Sequence, residues 1–146
     1  LSVLPYLQGT RVLDIGTGAG LPGIPLALAR PNIEFTLLDS NAKKTRFVQQ
    51  AVLELKLTNV QIIQCRSDEY QPTQLYSTVL TRAFAELPDI IASTQHLLAD
   101  NGKMIAMKGR CAEVELTQAI GKITVIPVQI PGLEAERNLV CIQFNE

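Results

Sequence analysis

Four glycines within eight residues, Gly16, Gly18, Gly20 and Gly23, constrain this chain more than any other feature. Val12, Leu13 and Ile15 lead into them as a short apolar run. It is too short for a helix and rich enough in branched side chains for a buried strand. Beyond the glycines, Leu21, Ile24, Leu26 and Leu28 supply the apolar side of a helix. Pro22 and Pro25 fit its first turn, where a missing N–H costs little. Strand, glycine-rich turn and helix start together describe a cradle for a phosphate or nucleotide. Glycine lets backbone approach a ligand without an intervening Cβ, and the free N–H groups of a helix start attract polar or anionic groups. A bare strand-to-helix turn is the alternative, and four glycines disfavour it.

Two registers compete within this loop. Gly18 to Gly23 match G-x-G-x-x-G, a dinucleotide fingerprint that is weak on its own. Asp14 to Gly20 match D-x-G-x-G-x-G, which resembles motif I of S-adenosylmethionine (SAM) methyltransferases. A carboxylate at Asp14 would repel a pyrophosphate, but it suits an ammonium and a sulfonium, directly or through water. SAM is therefore preferred to NAD. Residues 34–39 then read as a second strand ending in Asp39. That residue lies at about the 20-residue spacing at which an acid reaches a ribose hydroxyl. It could also cap the next helix, a role open to Ser40 and Asn41.

The helix expected over 42–57 carries Phe47, Val48, Ala51, Val52 and Leu55 at helical spacing. Lys43, Lys44 and Arg46 near its start oppose the helix dipole and read as a solvated face, with phosphate contact as the minority alternative. A third strand at 60–64 is followed by Ser67 and Asp68, placed either for an adenine amino group or for another helix cap. A fourth strand covers 78–81 and ends near Arg82. A helix over 86–98 follows, with Leu87, Ile90, Ile91 and Leu97 apolar. Asn101 and Gly102 read as a turn before a fifth strand at 103–107, with a short helix at 113–120. The last strands, 123–128 and 139–144, are joined by 131–137, short enough for an antiparallel pair. Strand–helix alternation implies right-handed crossovers and a parallel sheet, with ligands beyond the carboxyl ends of the strands. Asp14, Gly16, Asp39, Ser67, Asp68, Arg82 and Lys108 all lie at or just past such an end.

A chain of 146 residues that is 47% apolar suits one domain, 1–146. Leu1 is not an initiator methionine, so an N-terminal portion is expected to precede it. No run approaches the roughly 18 apolar residues of a membrane span, and no signal-peptide pattern appears. Cys65, Cys111 and Cys141 are odd in number and lack C-x-x-C pairing, so they read as buried thiols of a reducing cytoplasm. His96 is the single histidine. A histidine-based metal site or a Ser-His-Asp triad has little to work with, and no metal is expected.

The chain resembles the bacterial GidB family. The resemblance rests on the run from Asp14 through the glycines to Ala27 and on Leu37 to Ser40 with Lys43 and Phe47. It continues, in order, through Arg82 to Ala85, Lys108-Gly109 and Glu136 to Val140. The resemblance implies an α/β class I SAM-dependent methyltransferase fold: a Rossmann-like, mostly parallel seven-stranded sheet with a C-terminal antiparallel hairpin. It implies transfer of a methyl group from SAM to N7 of a guanine in 16S ribosomal RNA (rRNA) of the small subunit. Carried over by position, the family's cofactor contacts fall on Gly16, Leu21, Ser67, Asp68 and Arg82, with Asp39 placed for the ribose. Asp14, Gly18 and Gly20 complete the expected cofactor loop. The family carries an additional helical N-terminal segment. The expected state is a cytoplasmic monomer acting on 16S rRNA or the small ribosomal subunit, with no membrane partner.

Guanine N7 has a free lone pair and no proton at neutral pH. Its methylation requires no general base, so no catalytic residue is assigned beyond positioning by Arg82, Lys108 and Arg137. Net charge −1 argues weakly against nucleic acid. Against that, Arg66, Lys108, Arg110 and Arg137, with Arg82, fall at strand ends or in the last hairpin, a basic rim suited to RNA phosphates. Phe84 could stack on guanine or belong to the core. An NAD-linked oxidoreductase and a non-catalytic RNA-binding or ribosome-assembly factor with a relict pocket remain the alternatives.

Overall fold

The computed structural model describes residues 3–18, 20–82, 87–108, 122–128 and 138–144. Seven strands build one sheet: β1 (Arg11–Ile15), β2 (Glu34–Asp39), β3 (Val60–Gln64), β4 (Tyr76–Arg82), β5 (Leu98–Lys108), β6 (Lys122–Pro127) and β7 (Asn138–Gln143). Their order is β3-β2-β1-β4-β5-β7-β6. The first five pair in parallel, and β7 runs antiparallel between β5 and β6. The expected α/β sheet with a C-terminal antiparallel pair is what forms. Strand order reverses at β1, so the crevice beyond its carboxyl end is the switch point where ligands bind in such sheets.

Period-two alternation sends neighbouring side chains to opposite faces. Val12, Phe35, Leu37, Leu80 and Ile105 pack with Ile24 and Leu26 of α1 (Gly23–Ala29) and with Val48 and Val52 of α2 (Ala42–Glu54). Met104, Ala106, Val140 and Ile142 pack with Leu87, Ile90 and Ile91 of α3 (Leu87–Thr94). Leu13, Leu38, Tyr76 and Val79 gather with Leu97 in a third cluster. Coverage on both faces buries most of β1 and β4, including the polar side chains of Asp14, Thr78 and Thr81. Among the described residues no helix is long and apolar enough to cross a membrane.

Several expectations need correction. Helix α1 starts only at Gly23, which leaves Leu21 in the loop and half-exposed. Leu28 is also exposed, because one further residue of about 100° carries it past the buried arc of Gly23, Ile24, Leu26 and Ala27. On α2 the buried positions are Thr45, Val48 and Val52, while Phe47 and Leu55 face outward. Asn41, not Asp39, caps α2, its side chain accepting from the N–H groups of Lys43 and Lys44. Helix α3 ends at Thr94, and a 3-10 turn over Gln95–Leu97 leads into a strand that begins before the expected turn. The turn survives as an irregularity inside β5: Asn101 has a φ of +62°, and the register against β4 shifts there from Tyr76↔Leu98 to Thr78↔Lys103. The expected helix at 113–120 and the connection at 131–137 lie outside the described residues.

Candidate cofactor site at the strand ends

The parallel register lines up the carboxyl ends of β3, β2, β1, β4 and β5 along one edge. There Gln64 pairs with Asp39, Ile15 with Leu38 and Thr81, and Arg82 with Met107, next to Lys108. The glycine loop is fastened to this edge by its own backbone. The N–H groups of Gly16 and Thr17 both donate to Leu38 O, at 2.8 and 3.2 Å. Gly16 and Gly18 hold left-handed φ values of +68° and +58°, and a Cβ on either would meet nothing within 4 Å. These two glycines present bare backbone to open space, as a cradle requires. Gly23 serves packing instead. A Cβ there would collide with Leu37 and stand 2.8 Å from Asp14 Oδ2, so α1 can approach β2 only with glycine at that position.

Asp14 is 1% exposed and lies beneath the loop, outside the lining of the strand-end cavity. Its Oδ2 accepts from Thr17 Oγ1 at 3.1 Å and from the N–H of Gly23 at 3.0 Å. Burial is the dominant influence and pushes its pKa up to about 7, against the pull of Thr17, the Gly23 N–H and the Arg82 charge. The expectation that Asp14 faces a ligand is thus revised: the carboxylate ties the loop and the start of α1 to β1.

Asp39 is mostly buried yet lines the cavity. Oδ2 accepts from the N–H of Gly18 at 3.0 Å, and Oδ1 accepts from the N–H of Asn41 at 2.9 Å. One carboxylate therefore joins the glycine loop to the start of α2, with lone pairs to spare for a hydroxyl.

The cavity encloses about 330 Å³ along the ends of β1, β2 and β3. Gly16, Asp39, Ser67 and Asp68 all line it. Arg66, expected on the RNA rim, also lines it and is engaged with Asp68, Nε to Oδ1 at 3.2 Å and a terminal nitrogen to Oδ2 at 3.0 Å. The pair is exposed and adds little stability. Arg82 donates to Leu21 O at 3.3 Å and does not line the cavity. Gly20 packs on Ile24, where a Cβ would collide. Lys108 ends β5 on the same edge. Arg110, Arg137 and Phe84 lie outside the described residues.

Sequence reasoning missed three contributors. Thr17 is fully buried and holds Asp14, which a serine or threonine three residues after a motif aspartate could have suggested. Cys65 is half-buried at the cavity wall, directly after β3, and is not the sealed thiol expected. Ser93 reaches the cavity from α3, and nothing local in the sequence signals that approach. Cys141 is buried as expected, and Cys111 lies outside the described residues.

The arrangement suits SAM. Bare backbone at Gly16 lines the cavity and leaves room for close approach, while Gly18 opens on the α2 side of the loop, and the Asp39 carboxylate stands where a ribose diol could be bound. Ser67 and Asp68 offer polar groups for an adenine edge. A volume near 330 Å³ lies within the usual range for small-molecule sites.

Comparison with known proteins points the same way. Residues 1–140 match the family described as GidB, rRNA small subunit methyltransferase G. A protein of Chromobacterium violaceum named ribosomal RNA small subunit methyltransferase G is 50% identical over 144 residues, covering 96% of this chain and 69% of the relative. Among solved structures, the S-adenosylmethionine-dependent methyltransferase SibL matches with a TM-score of 0.76 at 13% identity, over 97% of this chain and 52% of that one. N-methyltransferase NodS from Bradyrhizobium japonicum matches with a TM-score of 0.72 at 16% identity, over 98% and 90%. At such identities these structures speak for the fold alone, the class I SAM-dependent methyltransferase fold.

Proposed function

The chain belongs to the GidB family, rRNA small subunit methyltransferase G, and on that footing we propose that it methylates N7 of a guanine in 16S rRNA. It is a SAM-dependent rRNA methyltransferase. The N7 position, the site residues and the extent of the catalytic unit are our own reading. Family membership removes the oxidoreductase alternative. We take residues 1–146 as one catalytic domain of a cytoplasmic, monomeric enzyme.

The observation that carries this reading is the placement of Asp39 and bare Gly16 on one cavity at the switch point. In it, Asp39 holds the ribose, the backbone at Gly16 and Gly18 lies along the cofactor, and Ser67 and Asp68 face the adenine. Leu21 and Arg82 close the loop side. When bound, the cofactor supplies an electrophilic methyl group on a cationic sulfur.

The chain's own task is positioning. N7 offers its lone pair without losing a proton, so no group has to remove one. The cavity chemistry accords with this: Asp39 is held by two backbone donors, Asp68 by Arg66, and Asp14 lies beneath the loop. In this reading Arg82 and Lys108, at the ends of adjacent strands, hold RNA phosphates while the base is aligned. Arg110 and Arg137 extend that rim in the sequence. The target is an unstacked base, because the major groove of A-form RNA is too narrow to admit a protein edge to N7.

The test is incubation with labelled SAM and small ribosomal subunits that lack the modification, followed by nucleoside analysis. N7-methylguanosine is expected. Label on an exocyclic amine or a ribose would reject the N7 assignment, and absence of label in a protein that binds both SAM and rRNA would favour the non-catalytic assembly factor.

A further inference from the structure

Helix α2 carries a surface that lies outside the strand-end cavity. Phe47 is 62% exposed, although its neighbour Val48 is fully buried. Lys43 and Lys44 precede it by four and three residues, so all three share one helical face. The two lysines and Arg46 stand in the first turns with no acidic residue in the first turn, against the helix dipole. Among the described residues none of these three cations makes an ion pair. Together with Gly18, the residues Lys43, Lys44 and Phe47 bound an open hollow of about 340 Å³ whose walls are largely apolar. Gly18 is also the residue whose N–H is held by Asp39. The hollow therefore adjoins the cofactor loop from outside, on the α2 side.

An aromatic ring in water beside unpaired cations is a poor arrangement for folding. It is a good one for single-stranded nucleic acid, where bases stack on aromatic faces and cations follow the phosphates. We propose that this face of α2 is a second RNA-docking surface, separate from the basic rim at the ends of β4 and β5. On it Phe47 stacks on an unpaired base flanking the target guanine, and Lys43 and Lys44 take the adjoining phosphates. The inference rests on the rRNA-methyltransferase reading above. Bound phosphates would also offset the charges that now oppose the helix dipole.

The test uses the full-length protein and a transcript of small-subunit rRNA, with affinity measured by fluorescence anisotropy over a salt series. Phe47→Ala should weaken RNA binding roughly 5- to 100-fold, while Phe47→Tyr retains it. Lys43→Ala combined with Lys44→Ala should reduce the slope of log affinity against log salt by about 1.4, two contacts at about 0.7 each. SAM affinity by calorimetry and the single-turnover rate at saturating rRNA should stay at wild-type values in all three variants. Unchanged RNA affinity and salt slope in both alanine variants would overturn the proposal. So would a parallel fall in SAM affinity, which would assign the hollow to the cofactor. A loss of thermal stability in Phe47→Ala with RNA binding intact would also overturn it, because the ring would then be covered by protein. Failure of the underlying reading looks different: the wild-type protein itself would leave the rRNA unmethylated.

Discussion

Asp14 and Gly23 are joined by a hydrogen bond of 3.0 Å from the glycine N–H to the carboxylate Oδ2. That bond seats α1 against β1 and buries an acid whose pKa rises to about 7, from 3.8 in the unfolded chain. Between these two values the native state binds more protons than the unfolded state. The stability contributed by this group is therefore fully present below about pH 4 and is lost as pH rises through about 7. The expected result is that Asp14→Asn removes this component. In denaturant unfolding at pH 5 and pH 8, the stability of wild type relative to the variant should be lower at pH 8. A difference that does not change with pH would show that Asp14 is not held neutral.

Two glycines of the motif, one in the loop and one at the start of α1, should fail differently. Gly23→Ala drives a Cβ into Leu37 and towards Asp14 Oδ2, so it should destabilise the fold by roughly 1–3 kcal/mol despite alanine's better helix propensity. Gly16→Ala meets no atom within 4 Å but must hold a φ of +68°, a strain of about 1–2 kcal/mol. Its methyl group would project from the bare backbone beside the cavity, so cofactor affinity should fall in Gly16→Ala beyond what the stability loss explains. Calorimetry alongside thermal unfolding separates the two. Equal SAM affinity in wild type and Gly16→Ala would contradict the cradle.

Asp39 has both a fold role and a proposed ligand role, and two substitutions divide them. Asp39→Ala leaves the N–H groups of Gly18 and Asn41 without their acceptor, a loss of roughly 1–3 kcal/mol in stability. It should also remove a charge-assisted ribose contact, weakening SAM about tenfold to a hundredfold. Asp39→Asn keeps one oxygen acceptor and should recover part of the stability, but it cannot restore the carboxylate. A folded Asp39→Asn protein with wild-type SAM affinity would reject the ribose assignment.

The strands were legible because burial on both faces of a parallel sheet writes itself as short branched runs. The limits of β2 and β3 were met to the residue. The site was legible where function needs a residue at a strand end, as with Gly16, Asp39 and Ser67. It was less legible where direction mattered. Asp14 has the position of a ligand contact, but its carboxylate turns under the loop, where it accepts from the N–H of Gly23 at the start of α1. Phe47 has the spacing of a core residue, yet α2 buries Val48 and Val52 instead, and an i, i+4 pattern alone does not say which of two adjacent apolar stripes faces the sheet. Ser93 belongs to the site only through the tertiary packing of α3.

The chemistry proposed for N7 makes one further demand, on the pH dependence of turnover. The lone pair that attacks is already free, so the methyl-transfer step has no deprotonation to wait for. At saturating rRNA and SAM, single-turnover rates should be nearly flat between about pH 6 and pH 9. Asp14 complicates the free enzyme, because its carboxyl titrates at about 7 just beneath the loop that carries the cofactor. A cationic cofactor favours the ionised form, so binding should release a fraction of a proton near neutral pH. By linkage, kcat/KM for SAM should rise with pH and level off above about pH 7, while the saturated rate does not follow it. Asp14→Asn should abolish the rise in kcat/KM and leave the flat saturated profile as it is. Calorimetry in buffers of different ionisation enthalpy counts the released proton directly. A tenfold rise per pH unit in the saturated rate, with N7-methylguanosine confirmed as product, would mean that a base takes part. Asp39 and Asp68 would then have to be examined as more than cofactor contacts.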